Sequence, residues 1–296
     1  MQTDFATRAR RQAAARKWIR GAPGQAAIYT LSLLLSAVFA LPLIWLVSTS
    51  LKTGSQAFRM PPQFIPNPVV LDNYVKGLTY LPFGRYMLNT MIIIVPRIAA
   101  TLLVCSLVAY GFSRIEWDGR DALFFVCVGT MVIPFAVTMI PLYLLFHRIG
   151  WVGTYLPLIV PQLFADPYYV FLLRQFFMGI PGELSDAARV DGCGEAGIFW
   201  RIILPLSRPV LAVVALFQFM YSWGEYLGPL IYISDPKKLT VSLALVQFGS
   251  AWRGATLDRY TWFMAAATAM TLPVLVIFFL VQRTFIEGIS LTGLKA

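Results

Sequence analysis

The chain has 296 residues, of which 58% are hydrophobic and only 13% are charged, and it carries a net charge of +10. Soluble domains have about 25% charged residues, so this composition excludes a soluble enzyme, a disordered chain and a secreted disulfide scaffold. It predicts an all-α polytopic membrane protein, in which the excess of Lys and Arg lies at the cytoplasmic membrane face and does not bind nucleic acid. Three widely spaced cysteines and a single histidine predict neither a disulfide nor a metal site.

Charged residues divide the chain into apolar segments, each long enough for the roughly 20-residue helix that crosses a bilayer. The first segment is a retained helix and not a signal peptide, because no small-residue cleavage site follows it. We predict a six-helix transmembrane domain over 28–282, between a basic N-terminal segment, 1–27, and a C-terminal tail, 283–296. The predicted spans are 28–47, 86–112, 121–148, 155–177, 209–233 and 260–282.

The N-terminal charges set the predicted orientation. The first twenty residues contain six basic side chains and one acid, Asp4, so this segment should remain in the cytoplasm. Six spans return the C-terminus to the same side. Two long segments, 52–85 and 234–258, then lie outside, and both are too long for simple turns. The six basic residues are Arg8, Arg10, Arg11, Arg16, Lys17 and Arg20.

The segment between the fourth and fifth spans, 181–208, has its own pattern. Ser185 is the predicted N-cap of a short helix, and Asp186 then lies at a helix N-terminus, where the dipole favours an acid. Gly192 and Gly194 allow a sharp change of direction before a second short helix. This pattern predicts either a rigid knob at the membrane face or an amphipathic helix that lies on lipid. The apolar side of the second helix comprises Ile198, Phe199, Ile202 and Ile203.

The same segment resembles the cytoplasmic-loop motif of ABC importer permeases. Asp186-Ala187-Ala188, Gly192 and Ile202-x-Leu204-Pro205 match that motif at every spacing, with Asp186 in place of the usual glutamate. Further segments are similar to the second-permease branch of the maltose-type carbohydrate importers, although the C-terminal Gly293-Leu294-Lys295-Ala296 departs from that family. These segments are Asn73-Tyr74, Leu88-Asn89-Thr90, Ala109–Arg114, Phe171–Phe177, Trp223 with Glu225-Tyr226-Leu227 and Pro229-Leu230, and Gln282-Arg283-x-Phe285-x-x-Gly288.

The resemblance implies a non-enzymatic transport subunit in the plasma (inner) membrane of a prokaryote. The expected cargo is a sugar or oligosaccharide, with a polyol or glycerol phosphate as alternatives. The expected partners are a homologous permease, two ATPase subunits, an extracytoplasmic substrate-binding protein and the lipid bilayer. For the stretch Thr240-Val241-x-Leu243 two alternatives stay open: by resemblance it reaches into the binding protein, or it belongs to an ordinary outer loop packed on its own helices. The residues expected to couple the chain to the ATPases are Asp186, Ala187, Ala188, Asp191, Gly192, Glu195, Phe199, Ile202, Leu204 and Pro205.

The chain lacks the phosphate-binding loop of an ATPase, because no lysine follows a glycine as GxxxxGK[ST] requires. We therefore expect no cofactor on this chain and place ATP and Mg²⁺ on the partner ATPases. Two other classes stay open from the residues alone. An ion-coupled secondary transporter would use intramembrane acids, whereas a membrane enzyme would need a catalytic cluster that the sequence does not contain.

Charged residues inside the spans predict a polar interior. Arg97 and Asp166 each lie about eleven residues into an inward-running span, hence roughly 16 Å deep at 1.5 Å per residue. An unpaired charge at that depth costs about 2.5–3.5 kcal/mol. We therefore predict that the two form an ion pair or line one polar path, with Glu225 also in reach of Arg97. Together with Gln162 and Gln218 they form either a wall of the sugar pathway or a helix-to-helix clamp without substrate contact.

Overall fold

The computed structural model describes residues 21–251 and 256–293, and all regular structure within these ranges is helical. The predicted basic N-terminal cluster and the last three residues lie outside the described part. The helices are α1 (Ala22–Ser50), α2 (Gly54–Ala57), α3 (Asp72–Tyr80), α4 (Phe83–Ala100), α5 (Ser106–Ser113), α6 (Arg120–Gly129), α7 (Phe135–Arg148), α8 (Leu156–Ile159), α9 (Pro167–Met178), α10 (Glu183–Val190), α11 (Glu195–Ile198), α12 (Leu204–Leu206), α13 (Arg208–Gly224), α14 (Leu227–Tyr232), α15 (Val241–Ala251) and α16 (Leu257–Gly293).

Short segments of other helical types join several of these. Thr101–Cys105 is a π-helical stretch between α4 and α5, and Phe199–Ile203 is a π-helical stretch between α11 and α12. Short 3₁₀ segments cover Thr130–Val132, Val160–Phe164 and Pro236–Lys238. The two π-helical stretches therefore extend α4 into α5 and α11 into α12 without a break.

Within the described residues, four helical segments are long and apolar enough to cross a membrane, and two bent pairs bring the total to as many as six. The chain is therefore an all-helical protein with four to six apolar spans. The four segments are Gly24–Ser50, Phe83–Ser113, Leu156–Met178 and Leu257–Gln282; the pairs are Arg120–Val132 with Phe135–Arg148, bent by 94°, and Glu195–Leu206 with Arg208–Gly224, bent by 77°.

Three of the predicted spans are interrupted near the middle. The third is broken before Pro134, and the fourth at Ala165, between Val160–Phe164 and α9. Proline supplies no N–H donor and clashes with the preceding turn, which explains why breaks occur beside it. In the fifth predicted span, regular helix stops at Gly224, since Glu225 has an extended conformation with φ −68° and ψ 121°.

The core consists of two main apolar clusters. One contains Tyr110 of α5, Leu173 and Phe177 of α9, and Phe199 beyond α11. The other packs Phe83 and Tyr86 of α4 against Val241, Leu243 and Phe248 of α15. By contrast, the most apolar stretch of α1 buries no residue inside the chain, so α1 presents its side chains to the surroundings.

The C-terminal end of α1 is tied to the segment that follows it. Asn73 donates from Nδ2 to the carbonyl oxygens of Ser50 and Lys52, at 2.9 and 2.7 Å. The Lys52 side chain is fully buried, with Nζ 4.0 Å from the centre of the Trp45 ring, and burial lowers the pKa of Lys52. These contacts hold the residues that follow α1 in a fixed position against its C-terminal end.

The last helix extends past the predicted end of the sixth span. That span was expected to stop at Gln282, but α16 remains helical to Gly293. The expected tail, 283–296, is therefore helical over most of its length. No helix-breaking proline lies after Gln282, which is why the helix continues.

Candidate functional site

The intramembrane charges form a pair between the second and fifth spans. Arg97 of α4 is 7% exposed, and its Nη1 donates to Oε2 of Glu225. Glu225 is the residue at which α13 ends, so the guanidinium also lies beside the negative end of that helix dipole. The guanidinium carbon lies 5.4 Å from the centre of the Tyr221 ring. The prediction that Glu225 is within reach of Arg97 is confirmed.

The predicted ion pair between Arg97 and Asp166 is wrong. Asp166 is the N-cap of α9, where its Oδ1 accepts from the backbone N–H of Tyr168 at 2.9 Å. The depth argument assumed a continuous fourth span, but that span is broken at Ala165, which has a φ of +62°. The break leaves the first N–H groups of α9 without helical acceptors, and the nearest carboxylate satisfies one of them.

The breaks in the third and fourth spans face each other across a cleft. The cleft is open to the surface and has a volume of about 470 Å³. Gln162 and Asp166 lie in its wall, whereas Arg97 and Glu225 do not. The lining residues are Thr130, Met131, Pro161, Gln162, Ala165, Asp166, Pro167 and Tyr168.

Gln218 belongs neither to the Arg97–Glu225 pair nor to the wall of the cleft. Its side chain is 1% exposed, and Nε2 donates to Oγ of Ser222 one turn later on α13, at 3.2 Å. The structure thus separates the five candidate pathway residues into a buried charge pair, Arg97 and Glu225, a cleft pair, Gln162 and Asp166, and an isolated amide within one helix.

The segment 240–243 is buried and packs on the chain's own helices, as the second of the two alternatives for it predicts. Thr240, Val241 and Leu243 are 4%, 1% and 1% exposed. They begin the apolar helix α15, whose first N–H, on Val241, donates to Oγ1 of Thr90 at 2.9 Å. Asn89 holds the preceding turn by donating to the carbonyl oxygens of Lys237 and Leu239. An apolar helix start with its donors satisfied packs into the core instead of reaching into water.

The segment between the fourth and fifth spans folds as two helices around a glycine. The first, α10, begins at Glu183 with Gly182 as its N-cap, so the prediction of Ser185 as the cap is wrong; Ser185 lies inside the first turn and is 2% exposed. Gly192 has a φ of +82°, a left-handed conformation that favours glycine. The predicted change of direction at Gly192 is confirmed.

One side of this segment is exposed and the other is anchored. Val190, on the exposed side, is 87% exposed, whereas Ala188 and Phe199 are buried against the protein. The ten predicted coupling residues divide in the same way. Asp186, Ala187, Asp191, Gly192 and Pro205 are exposed, Glu195, Ile202 and Leu204 are half-buried, and Ala188 and Phe199 are buried.

A polar network fixes the two helices to each other and to the second span. Glu195 accepts from Nε of Arg189 at 2.8 Å and from the hydroxyl of Tyr110 at 2.5 Å. Arg189 also donates from Nη1 to Oδ1 of Asp186 at 2.7 Å. The Arg189 guanidinium, and next the Tyr110 hydroxyl, hold the pKa of Glu195 below its ordinary value. The carboxylate therefore stays ionised at neutral pH.

Sequence reasoning did not assign roles to Tyr110, Arg189 or Arg114. Arg114 follows α5 and donates from Nη2 to the carbonyl oxygens of Phe177 and Ile180, at the end of the fourth span. One signal was available: Arg189 follows Asp186 by three residues, which places both on one helix face. No local pattern predicts that Tyr110 meets a residue 85 positions later.

Comparison with known proteins identifies the family. Residues 102–290 match the family described as "Binding-protein-dependent transport system inner membrane component". The chain belongs to this family. The match includes both interrupted central spans and the whole of the segment 181–208.

Two relatives are similar over most of their length. The arabinooligosaccharides transport system permease protein AraQ of Halalkalibacterium halodurans is 33% identical over 266 residues, which is 88% of this chain and 91% of that protein. The lactose transport system permease protein LacG of Rhizobium radiobacter is 33% identical over 247 residues, 83% of this chain and 88% of that protein. Both of these relatives are named as carbohydrate transport components.

A solved structure shares the fold. The crystal structure of a bacterial ABC transporter involved in the import of the acidic polysaccharide alginate contains a chain that superimposes with a TM-score of 0.76. The two chains are 21% identical, and the match covers 89% of this permease and 98% of that chain. The helical arrangement described above is therefore the fold of an ABC importer permease.

Proposed function

We propose that this chain is a membrane-spanning subunit of a binding-protein-dependent ABC importer that moves a sugar or oligosaccharide into the cell. The observation that carries the proposal is the family match over 102–290, together with relatives named for the transport of arabinooligosaccharides and lactose. The proposed partners are a homologous permease, two ATPase subunits that bind ATP and Mg²⁺, and an extracytoplasmic substrate-binding protein.

The proposed topology has six spans with both termini in the cytoplasm of a prokaryotic cell. Support comes from counting the four long apolar helices, the pair Arg120–Val132 with Phe135–Arg148 as one span and the helix Arg208–Gly224 as another, and from the basic first twenty residues. In the second bent pair, Glu195–Leu206 belongs to the loop and Arg208–Gly224 to the membrane. The chain then consists of a basic segment, 1–27, a permease domain, 28–282, and a terminal segment, 283–296.

The proposed role of the loop 181–208 is to dock on the ATPase. Its exposed side offers the acids Asp186 and Asp191 and the apolar Val190, while its other side is held by Phe199 in the core. An element that is rigidly anchored on one side can transmit force applied to the other. Gly192 sets the angle between its two helices.

The proposed solute path runs along the cleft between the interrupted third and fourth spans. Interrupted membrane helices leave backbone N–H and C=O groups without helical partners. Such groups are tolerated within a membrane only where they are buried in protein or line a water-filled cavity. Gln162 and Asp166 add side-chain acceptors for sugar hydroxyl groups. Arg97 and Glu225 pair with each other and do not line this cleft, which supports the clamp role for that pair.

The test is uptake by the complete importer in proteoliposomes, with lactose and arabinooligosaccharides as probes. We expect the tagged chain to co-purify with an ATPase, and uptake to require ATP together with the cognate binding protein. Uptake driven by a proton or sodium gradient without ATP would instead support a secondary transporter. Transport of only a polyol or glycerol phosphate would change the solute class and leave the mechanism intact.

A further inference from the structure

The contact between Tyr110 and Glu195 joins the end of the second span to the loop 181–208. Tyr110 is 4% exposed on α5, the last helical segment of the second span. Its hydroxyl donates to Oε2 of Glu195, the first residue of α11 in the loop 181–208. Its ring lies edge-on against Phe199, with ring centres 5.3 Å apart. One tyrosine therefore makes a polar and an apolar contact with the same loop helix.

The acceptor of this bond is itself fixed from the other side. Oε1 of Glu195 accepts from Arg189, which belongs to α10 and also binds Asp186. A single carboxylate thus connects both loop helices to the second span. A displacement of α10 therefore reaches Tyr110 through Arg189 and Glu195.

The second span continues without a break from Phe83 to Ser113, and it carries Arg97 near its middle. Tyr110 follows Arg97 by thirteen residues, which is roughly 20 Å along a helix at 1.5 Å per residue. Arg97 in turn holds Glu225, where the fifth span breaks. The second span therefore connects Tyr110 to the Arg97–Glu225 pair along one continuous helical segment.

A π-helical stretch, Thr101–Cys105, lies between Arg97 and Tyr110, and another, Phe199–Ile203, follows Glu195 closely. π-helical turns are rare and occur frequently at functional sites, because they hold one residue more than an α-helical turn. Both helices that meet at the Tyr110–Glu195 contact thus contain a turn at which the helix can change its bonding register.

We propose that the hydrogen bond from Tyr110 to Glu195 is a latch through which movement of the loop 181–208 rotates or shifts the second span and so acts on the Arg97–Glu225 pair. Tyr110 and Glu195 are positioning residues in this scheme. The proposal rests on the proposed docking of the loop on an ATPase. It adds the route by which that docking reaches the middle of the membrane.

The test uses the complete importer in proteoliposomes and measures sugar molecules moved per ATP hydrolysed. Tyr110→Phe removes the hydroxyl but keeps the ring against Phe199. We expect it to lower this ratio about tenfold or more, the factor that corresponds to one hydrogen bond to a charged group. The matched control is Tyr155→Phe, which removes a hydroxyl bonded to the carbonyl of Lys238 at 3.2 Å, outside the loop. We expect the control to stay within about twofold of the wild type.

Two substitutions of the acceptor, Glu195, distinguish the effect of losing this hydrogen bond from a general loss of stability. Glu195→Ala should reproduce the loss seen with Tyr110→Phe. Glu195→Gln should retain most of the coupling, since its amide oxygen still accepts from Arg189 and its amide nitrogen can donate to the Tyr110 oxygen. Thermal stability of each variant importer is measured in parallel, and we expect Tyr110→Phe and Tyr155→Phe to be alike in that respect.

The outcomes are distinguishable. A ratio for Tyr110→Phe equal to that of Tyr155→Phe would overturn the latch, as would a loss explained fully by lower thermal stability. Failure of Glu195→Gln to rescue coupling relative to Glu195→Ala would also count against it. If the wild-type importer moves sugar without hydrolysing ATP, the proposed function itself fails, and this is seen before any variant is compared.

Discussion

Replacing Glu225 with glutamine tests whether the Arg97–Glu225 pair holds the second and fifth spans together. The Arg97 and Glu225 side chains are only 8% and 18% exposed. Removing one partner of a buried pair costs about 3–5 kcal/mol, because the remaining charge is left without compensation. In the variant, Arg97 stays charged, since a guanidinium does not release its proton in a protein. We therefore expect Glu225→Gln to lower the free energy of unfolding by close to the same amount, about 3–5 kcal/mol.

The reverse substitution should be milder. Arg97→Met leaves Glu225 without its partner, but the Glu225 side chain is 18% exposed against 8% for Arg97, so the remaining charge is less completely removed from water. The double variant should be more stable than Glu225→Gln alone, because replacing both charges with neutral groups is often close to neutral in free energy. The expected order of decreasing stability is wild type, double variant or Arg97→Met, and then Glu225→Gln.

The assay is the temperature at which half of the detergent-solubilised importer aggregates, with uptake measured in parallel. A change of 1 kcal/mol moves such a midpoint by about 2–4 °C in a domain of 150–250 residues, so Glu225→Gln should lower it by roughly 6 °C or more. The control cycle pairs Arg97→Met with Asp166→Asn, whose effects should add within about 0.5 kcal/mol. The reasoning is refuted if Arg97 and Asp166 couple more strongly than Arg97 and Glu225, or if the Glu225 effects simply add.

Three further predictions follow from the site. Gly192→Leu should impair sugar uptake while the chain still inserts, because a φ of +82° costs a branched residue about 1–2 kcal/mol. The control is Gly194→Ala, since Gly194 has a φ of −72°. Normal uptake together with normal stimulated ATPase activity in Gly192→Leu would contradict a coupling role. Asp166→Ala should lower the free energy of unfolding by about 0.5–2 kcal/mol, because the N-cap of α9 is lost, whereas Asp166→Asn should retain the cap. Equal losses of stability in melting experiments would show that the charge of Asp166 and not its capping role matters. A cysteine at the exposed Ser250 should react with an impermeant thiol reagent from outside the cell, and labelling only from the cytoplasm would invert the proposed topology.

The segments able to cross the membrane could be found from the sequence because they depend on local composition. Burying backbone polar groups in hydrocarbon requires helices, so long charge-free runs identify them directly. The first span, predicted as 28–47, corresponds to α1, and the second, predicted as 86–112, corresponds to Phe83–Ser113. The turn at Gly192 was predictable for the same reason, since a left-handed conformation is a property of one residue.

Partner choice among the charged residues was decided only by the tertiary structure. The sequence placed Arg97 and Asp166 at equal depth, but a depth along the chain assumes an unbroken helix. The break at Ala165 turned Asp166 into a helix cap, and the break at Gly224 brought Glu225 to Arg97. Both outcomes depend on how several spans pack against each other, which no local pattern contains.

The loop 181–208 combines both kinds of information. Its motif spacing, its glycine turn and its exposed acids can be read along the chain, because they are set by neighbouring residues. The anchoring of Glu195 by Tyr110 joins residues 85 positions apart and exists only because α5 and α11 meet in the folded protein. The sequence by itself therefore determined the family and the membrane segments, whereas packing between distant helices decided which polar groups act together.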